Sequence, residues 1–173
     1  MKKIILSLLI IMVFFTITSA QHATATATAK VVSALVITNN GNLNFGSFVA
    51  NNSTGGTVVL DPANSSRRNL AAVGEAPVLV SGGGEAVAKF TLGGPAEAKV
   101  NIAFSQTPVI LKGPLGKTME ITGFSWNGIN GVTPIPVEEQ MLINVGATLE
   151  VGPLIDNPRG SYSGTFNVTA TYE

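Results

Sequence analysis

Residues 161–172 alternate strictly between two kinds of side chain, and this pattern constrains the fold more than any other feature. Ser, Thr and Asn occupy every second position. The positions between them carry Tyr162, Gly164, Phe166, Val168, Ala170 and Tyr172. Successive side chains of a β-strand point to opposite faces of its sheet. The pattern therefore predicts a C-terminal strand with one buried face and one solvent-exposed face.

Short apolar runs rich in β-branched residues recur along the rest of the chain and are separated by clusters of Gly, Pro and Asn. After the first twenty residues, no segment has a convincing helical period. The runs are 31–38, 43–50, 56–60, 76–80, 86–92, 98–104, 108–113, 117–126, 147–151 and 161–172. Strands at a spacing of about ten residues are typical of antiparallel sandwiches and barrels. We expect an all-β fold, an antiparallel immunoglobulin-like β-sandwich over residues 31–173.

The first twenty residues have the layout of a secretory signal peptide. Two lysines follow Met1, Ile4–Phe15 is apolar, and small residues stand at Thr18 and Ala20. The apolar run is short for a membrane span, although an uncleaved anchor is the alternative. Residues 1–20 are therefore predicted to be a signal peptide, and the remaining chain is expected in the periplasm, at the cell surface or outside the cell.

Charge and composition exclude several classes of function. Without the two lysines of the signal, eight basic and ten acidic residues leave a net charge of about −2. No basic stripe is present, so nucleic acid is not an expected partner, and no membrane insertion is expected after signal removal. His22, the one histidine, lies in a segment with no fixed scaffold nearby, and there is no Cys, so no Ser-His or Cys-His arrangement and no His or Cys metal cluster is available. Apart from Glu138 and Glu139, the acidic residues are scattered singly. We expect a non-enzymatic protein without a cofactor.

Directly after the predicted cleavage site, QHATATATAK (residues 21–30) forms a ribbon of alternating Ala and Thr. Its period is that of a strand, but an alanine methyl contributes only about 0.8 kcal/mol on burial, against about 1.5–3 kcal/mol for a large apolar side chain. The apolar face continues into larger residues. That face is Ala23, Ala25, Ala27, Ala29, Val31, Leu35 and Ile37. The ribbon is either a connector to another subunit, the first strand of its own sheet, or a short leader.

Four segments resemble a family of secreted bacterial β-sandwich proteins known only as a domain of unknown function, number 4402. They are GATLEV (146–151), GSYSGTFNVTATYE (160–173), LNFGSF (43–48) and GKTMEITGF (116–124). The resemblance spans most of the chain that follows the predicted signal. It implies the same β-sandwich fold but no activity.

The C-terminus is also similar to that of chaperone–usher pilus subunits, which end on a strand with a penultimate Tyr and a Gly thirteen residues before the end. Tyr172 and Gly160 stand at these positions. In those subunits the C-terminal strand pairs with a periplasmic chaperone, and the N-terminal extension of a neighbouring subunit completes the sandwich. Many of them carry a disulfide, which this chain cannot form.

The pilus resemblance implies that residues 21–30, continued by Val31, Leu35 and Ile37, are a donor strand. It implies that Gly160, Tyr162, Phe166, Val168 and Tyr172 belong to the strand that pairs with the donor or the chaperone. The expected function is that of a fimbrial or other surface-assembly subunit, with other protein subunits and a periplasmic chaperone as partners. The alternative is a carbohydrate- or ligand-binding sandwich that uses Trp126 and the loop 127–140.

Overall fold

The computed structural model describes residues 21–31, 33–64, 68–70, 77–128, 132–134 and 140–173. The predicted signal peptide and the Glu138–Glu139 pair lie outside the described residues. The chain forms two compact units, Met1–Val31 and Val32–Glu173. In the first unit, residues 21–31 are exposed and belong to no strand.

Twelve strands lie within the described part of the second unit, and all their pairings are antiparallel. The strands are β1 (Val36–Gly41), β2 (Phe48–Val49), β3 (Gly56–Leu60), β4 (Arg68–Leu70), β5 (Val78–Leu79), β6 (Ala88–Gly93), β7 (Lys99–Phe104), β8 (Val109–Lys112), β9 (Thr118–Trp126), β10 (Val132–Pro134), β11 (Gln140–Val151) and β12 (Val168–Tyr172). Single 3₁₀ turns occur at Pro62–Asn64 and Pro114–Gly116. No α-helix occurs in the described ranges.

The long strand β11 organises the larger sheet, which has seven strands. Its first half pairs with β6, and its second half pairs with β3 and β9. β1 pairs with β6, β4 pairs with β3, and β8 pairs with β9. A second sheet has the order β10-β7-β12, and β2 and β5 form a separate two-stranded sheet.

The second sheet packs against the β6 and β11 region of the larger one. Val100 and Ile102 of β7 point inward and share a buried cluster with Leu92, Ile143 and Val145. A neighbouring cluster joins β3, β8, β9 and the second half of β11, and its buried members include Val58, Leu60, Met119, Ile121 and Leu149. The predicted antiparallel β-sandwich is thereby confirmed.

The first predicted strand begins five residues later than the apolar run 31–38 indicates. Val31 is 96 % exposed, and pairing starts at Val36, which lies opposite Gly93. Pro95 stands two residues beyond Gly93 and has no backbone N–H, so the partner strand cannot continue. Pairing of β1 therefore cannot extend toward the N-terminus.

The last strand is shorter than the alternation of residues 161–172 predicts. β12 begins at Val168, which pairs with Phe104, the final residue of β7. Upstream of Val168 the chain has no further partner in β7, so it leaves the second sheet. The predicted alternation of buried and exposed side chains is still present. Half-buried side chains occur at Tyr162, Phe166, Val168 and Ala170, and the residues between them are exposed.

Strand β11 begins seven residues before the predicted run 147–151. Gly146 stands directly before that run, and it lies inside the strand. A Cβ at this position would lie 2.0 Å from the carbonyl oxygen of Leu60. The glycine therefore permits a close crossing of two chain segments and does not end the strand.

Candidate functional site

An open cleft of about 1270 Å³ lies between two segments that do not pair with each other. We call residues 42–52 the N-terminal wall and residues 158–166 the C-terminal wall. The floor consists of apolar side chains from β6, β8, β9 and β11. These are Ala88, Phe90, Leu111, Met119, Ile121 and Leu149. Four of them are themselves buried, so the cleft reaches the hydrophobic core chiefly through the half-buried Phe90 and Leu111.

The backbone of the C-terminal wall is hydrogen-bonded to β8 at one residue, Ser163. The N–H of Ser163 donates to the carbonyl of Lys112 at 3.0 Å, and the Ser163 carbonyl accepts from the Lys112 N–H at 2.7 Å. In an extended chain the backbone groups of neighbouring residues point to the opposite edge. Among the described residues, no protein group bonds the backbone N–H or C=O of Tyr162, Gly164 or Phe166. This edge of the wall is open to pairing.

The N-terminal wall is already paired on its outer side. Asn44 exchanges two backbone hydrogen bonds with Ala86, and β2 pairs with β5. The Leu154 N–H donates to the Asn51 carbonyl and closes one end of the cleft. Any added strand thus has the apolar floor beneath it and the open edge of the C-terminal wall beside it.

The rim of the cleft is polar but almost uncharged. Arg159 is the one charged side chain among the described residues that line it. Several asparagines on the rim stabilise turns: the Oδ1 atoms of Asn39 and Asn44 accept from the N–H groups of Gly41 and Gly46. Such a surface favours an uncharged, extended peptide with small or apolar side chains over a charged ligand.

Tyr162 and Phe166 hold the C-terminal wall against the core. The Tyr162 hydroxyl donates to the Pro158 carbonyl at 2.8 Å. Burial raises the pKa of the Tyr162 phenol above its ordinary value, and a hydrogen bond with Asn157 opposes part of this effect. The Phe166 ring lies 4.8 Å from that of Phe124, centroid to centroid. The wall is positioned by side chains although its backbone is largely unpaired.

The predicted C-terminal pairing residues divide into two groups. Gly160, Tyr162 and Phe166 line the cleft. Val168 lies in β12, and Tyr172 is 37 % exposed with its hydroxyl bonded to the backbone carbonyl of Ser33. The residues predicted to form one long strand are therefore divided between the cleft and the second sheet.

The predicted donor residues are also divided. Ala23, Ala25, Ala27, Ala29 and Val31 are exposed and lie in no strand. Leu35 packs half-buried against the cluster of β6, β7 and β11. Ile37 lies in β1, opposite Leu92, with 36 % of its surface exposed. Leu35 and Ile37 therefore belong to the sandwich and are not free to serve as donor residues while β1 is paired.

Sequence reasoning missed the N-terminal wall and the floor of the cleft. Phe45 and Phe48 lie in the predicted run 43–50, where they read as ordinary core residues. The asparagine-rich stretch 39–44 was the available signal, since such residues favour irregular turns over continuous pairing. No local pattern could show that this segment faces residues 158–166.

The alternative ligand site at Trp126 has a different form. Trp126 is half-buried against the β6, β7 and β11 cluster, and it borders a shallow pocket of about 440 Å³ with Asp61 and Pro62. Asp61 accepts from the Ala63 N–H at 2.8 Å, which is a turn contact.

Within the described part of the chain, no group of three or more His, Cys, Asp or Glu side chains could hold a metal ion. No helix in those ranges has the length and apolar character needed to cross a membrane.

No curated protein and no solved structure shows significant similarity to the chain. The sequence profile of one family, described as a domain of unknown function (DUF4402), matches residues 35–172. The match covers the whole sandwich from Leu35 to Tyr172 and begins after the alternating ribbon. It confirms the predicted family resemblance, and the chain belongs to the DUF4402 family.

Proposed function

We propose that the protein is a secreted, non-enzymatic structural subunit that joins a protein partner by β-strand addition in the cleft. One observation carries the proposal: the backbone edge at Tyr162, Gly164 and Phe166 is open directly beside an apolar floor. Exposed edges of this kind are usually shortened, charged or covered, because they pair with any available strand. An uncharged open edge beside core side chains therefore favours a site that a partner fills.

The cleft is long enough for a strand to bind with useful affinity. The C-terminal wall bends at Arg159 and Gly160, and the six residues that follow, 161–166, span about 20 Å when extended. Each backbone hydrogen bond formed along it contributes about 0.5–1.5 kcal/mol net. Apolar side chains pointing to the floor add about 0.8 kcal/mol for a methyl group and about 1.5–3 kcal/mol for a larger group. Several bonds and side chains together can offset the cost of ordering the added segment.

The predicted signal peptide supports export, and the lack of a catalytic constellation in the sequence supports a structural role. The C-terminal similarity to pilus subunits supports a fimbrial or other surface assembly. Both supports come from the sequence.

Hydrogen exchange with a designed peptide tests the proposed site. The probe is an uncharged peptide of alternating Val and Thr, and the protein is the chain without residues 1–20. We expect the amides of Tyr162, Gly164 and Phe166 to exchange fast alone and to become protected with the peptide. The amide of Ser163, already bonded to Lys112, is the internal control. Unchanged fast exchange at all three positions under saturating peptide would contradict strand addition at this cleft.

A further inference from the structure

We propose that one end of the sandwich contacts an anionic lipid bilayer through the side chains of Leu115 and Ile155. We call the two turns that carry them, residues 113–117 and 153–157, the apolar tip. The contact is confined to the surface of the bilayer and needs no spanning segment. It is separate from the proposed strand addition, because these side chains belong to turns and not to the open backbone edge of the cleft.

The apolar tip carries two strongly exposed aliphatic side chains. No large apolar side chain in the described part of the sandwich is more exposed than Leu115 and Ile155, at 88 % and 76 %. Leu115 lies in the turn that joins β8 to β9, and Ile155 lies in the turn that follows β11. Exposed aliphatic residues scattered singly are ordinary on a protein surface, but a pair on neighbouring turns points to a contact surface.

Polar contacts hold the two turns next to each other. The Lys117 ammonium lies 3.5 Å from a carboxylate oxygen of Asp156. The side-chain amide of Asn157 donates to the carbonyl of Thr118 at 2.7 Å. Each contact joins the end of one turn to the end of the other. The two aliphatic side chains are therefore presented together at one end of the sandwich.

The backbone holds Leu115 in a conformation that a leucine disfavours. Its φ is 56°, in the left-handed region, where a bulky side chain is an outlier. The Gly113 N–H donates to the Lys117 carbonyl at 2.9 Å, and the Lys117 N–H donates to the Pro114 carbonyl at 3.0 Å, so the turn is closed in this form. Because Leu115 is exposed, its side chain adds little to the core of the sandwich. Strain of this kind is typical of a position that serves a contact with a partner.

The charges around the apolar tip favour an anionic partner. Three basic side chains flank the two turns. They are Lys112, Lys117 and Arg159. Asp156 is the one acidic side chain in either turn. Glu120 and Glu150 lie opposite each other in β9 and β11, and Glu120 is two residues beyond Thr118, about 7 Å further from the turn.

Aliphatic side chains with basic side chains around them suit the surface of an anionic bilayer better than a protein partner. In such a contact the apolar groups enter about 5–10 Å into the boundary of headgroups and acyl chains. The basic side chains are attracted to the anionic headgroups. Protein interfaces instead centre on aromatic side chains, and leucine is under-represented at their energetic centres. Neither turn of the apolar tip contains an aromatic residue.

Vesicle sedimentation tests the contact. The protein is the chain without residues 1–20, and the probes are phosphatidylcholine vesicles with and without about one third phosphatidylglycerol. The tip variant combines Leu115→Ser with Ile155→Ser. The matched control combines Val36→Ser with Leu142→Ser, which removes two exposed apolar side chains from β1 and β11. Circular dichroism establishes that both variants are folded.

We expect the natural chain and the control variant to bind the anionic vesicles equally, and the tip variant to bind at least about tenfold more weakly. Lys112→Gln should weaken binding several-fold, whereas Lys89→Gln, an exposed lysine of β6, should not. Raising the salt from about 0.05 M to about 0.5 M should release the protein, because it screens the attraction between charges.

A labelled variant reports the insertion directly and does not depend on the tip variant. The natural chain has no Cys, so Leu115→Cys can carry one environment-sensitive fluorophore. Its emission should shift to the blue with anionic vesicles, whereas that of labelled Leu142→Cys should not change. Equal responses at the two positions would overturn the inference. So would a natural chain that binds neither vesicle, or that binds neutral and anionic vesicles equally.

Discussion

The side-chain amide of Asn157 donates a hydrogen bond to the backbone carbonyl of Thr118 at 2.7 Å. Its oxygen accepts from the Gly152 N–H. Asn157 is only 5 % exposed, so these bonds are partly shielded from water. They tie the residue before the C-terminal wall to the first residue of β9 and to the residue after β11.

Replacing Asn157 with Ala should destabilise the protein, because it leaves the Thr118 carbonyl and the Gly152 N–H without a partner. A buried polar group left unpaired costs about 1–3 kcal/mol. For a domain of this size, each kcal/mol lowers the melting temperature by about 2–4 °C. Thermal unfolding followed by circular dichroism measures the shift. The control is Asn167→Ala, an exposed asparagine whose hydrogen bonds use only its backbone. Equal melting temperatures for the two variants would contradict the structural role of Asn157.

Replacing Gly164 with Ala should displace the C-terminal wall. A Cβ at this position would lie 2.5 Å from the carbonyl oxygen of Ile110, which is backbone and cannot move aside alone. Overpacking of this kind typically costs about 1–3 kcal/mol. Gly123 is the matched control, because a Cβ there meets no atom within 4 Å. Urea denaturation should show a lower unfolding free energy for Gly164→Ala only. A stable Gly164→Ala variant would mean that the wall does not approach β8 this closely.

Replacing Phe166 with Ala should loosen the cleft and the core together. The Phe166 ring contacts Phe124 and Phe90, at centroid distances of 4.8 and 6.3 Å. A fully buried Phe costs about 3–5 kcal/mol on truncation, so a half-buried one should cost about 2–3 kcal/mol. Leu142 is 69 % exposed, and Leu142→Ala should change the unfolding free energy by no more than about 0.5 kcal/mol. The same loss for both variants would place Phe166 outside the core.

The protein should lose stability at alkaline pH through Tyr162. Burial raises the pKa of this phenol in the folded state above the ordinary 10.0. A group with a raised folded-state pKa stabilises the fold below its unfolded-state pKa, and this contribution is lost as the pH rises through the folded-state value. Urea unfolding at about pH 8 and about pH 11 should therefore show a smaller loss for Tyr162→Phe than for the natural chain. Tyr172→Phe is the control, and an identical pH dependence of Tyr162→Phe and the natural chain would refute the effect.

Much of the sandwich could be predicted from the alternation of side chains. Val100 and Ile102 of β7 are buried between exposed neighbours, and Val168 and Ala170 keep the predicted inner face of β12. These results follow from local geometry, because the period of a strand is the same wherever the strand packs. The family could be recognised for the same reason, since its profile matches the strands from Leu35 to Tyr172.

The ends of the strands could not be predicted in the same way. The apolar run 31–38 suggests a strand from Val31, but β1 starts at Val36 because its partner β6 ends at Gly93. The predicted run 147–151 starts after Gly146, but β11 starts at Gln140 because its first half pairs with β6. Each boundary depends on a residue far away in the sequence, which local propensity does not include.

The amino-acid sequence by itself determined the class of fold, the inner face of most strands and an alternating ribbon that precedes the sandwich. Only the tertiary structure decided that residues 158–166 leave the second sheet and face residues 42–52 across an open cleft. It also decided that the Tyr172 hydroxyl bonds the backbone carbonyl of Ser33. The physical reason is that side-chain period is a property of one segment, whereas an unpaired edge and a contact of this kind arise only when distant segments meet.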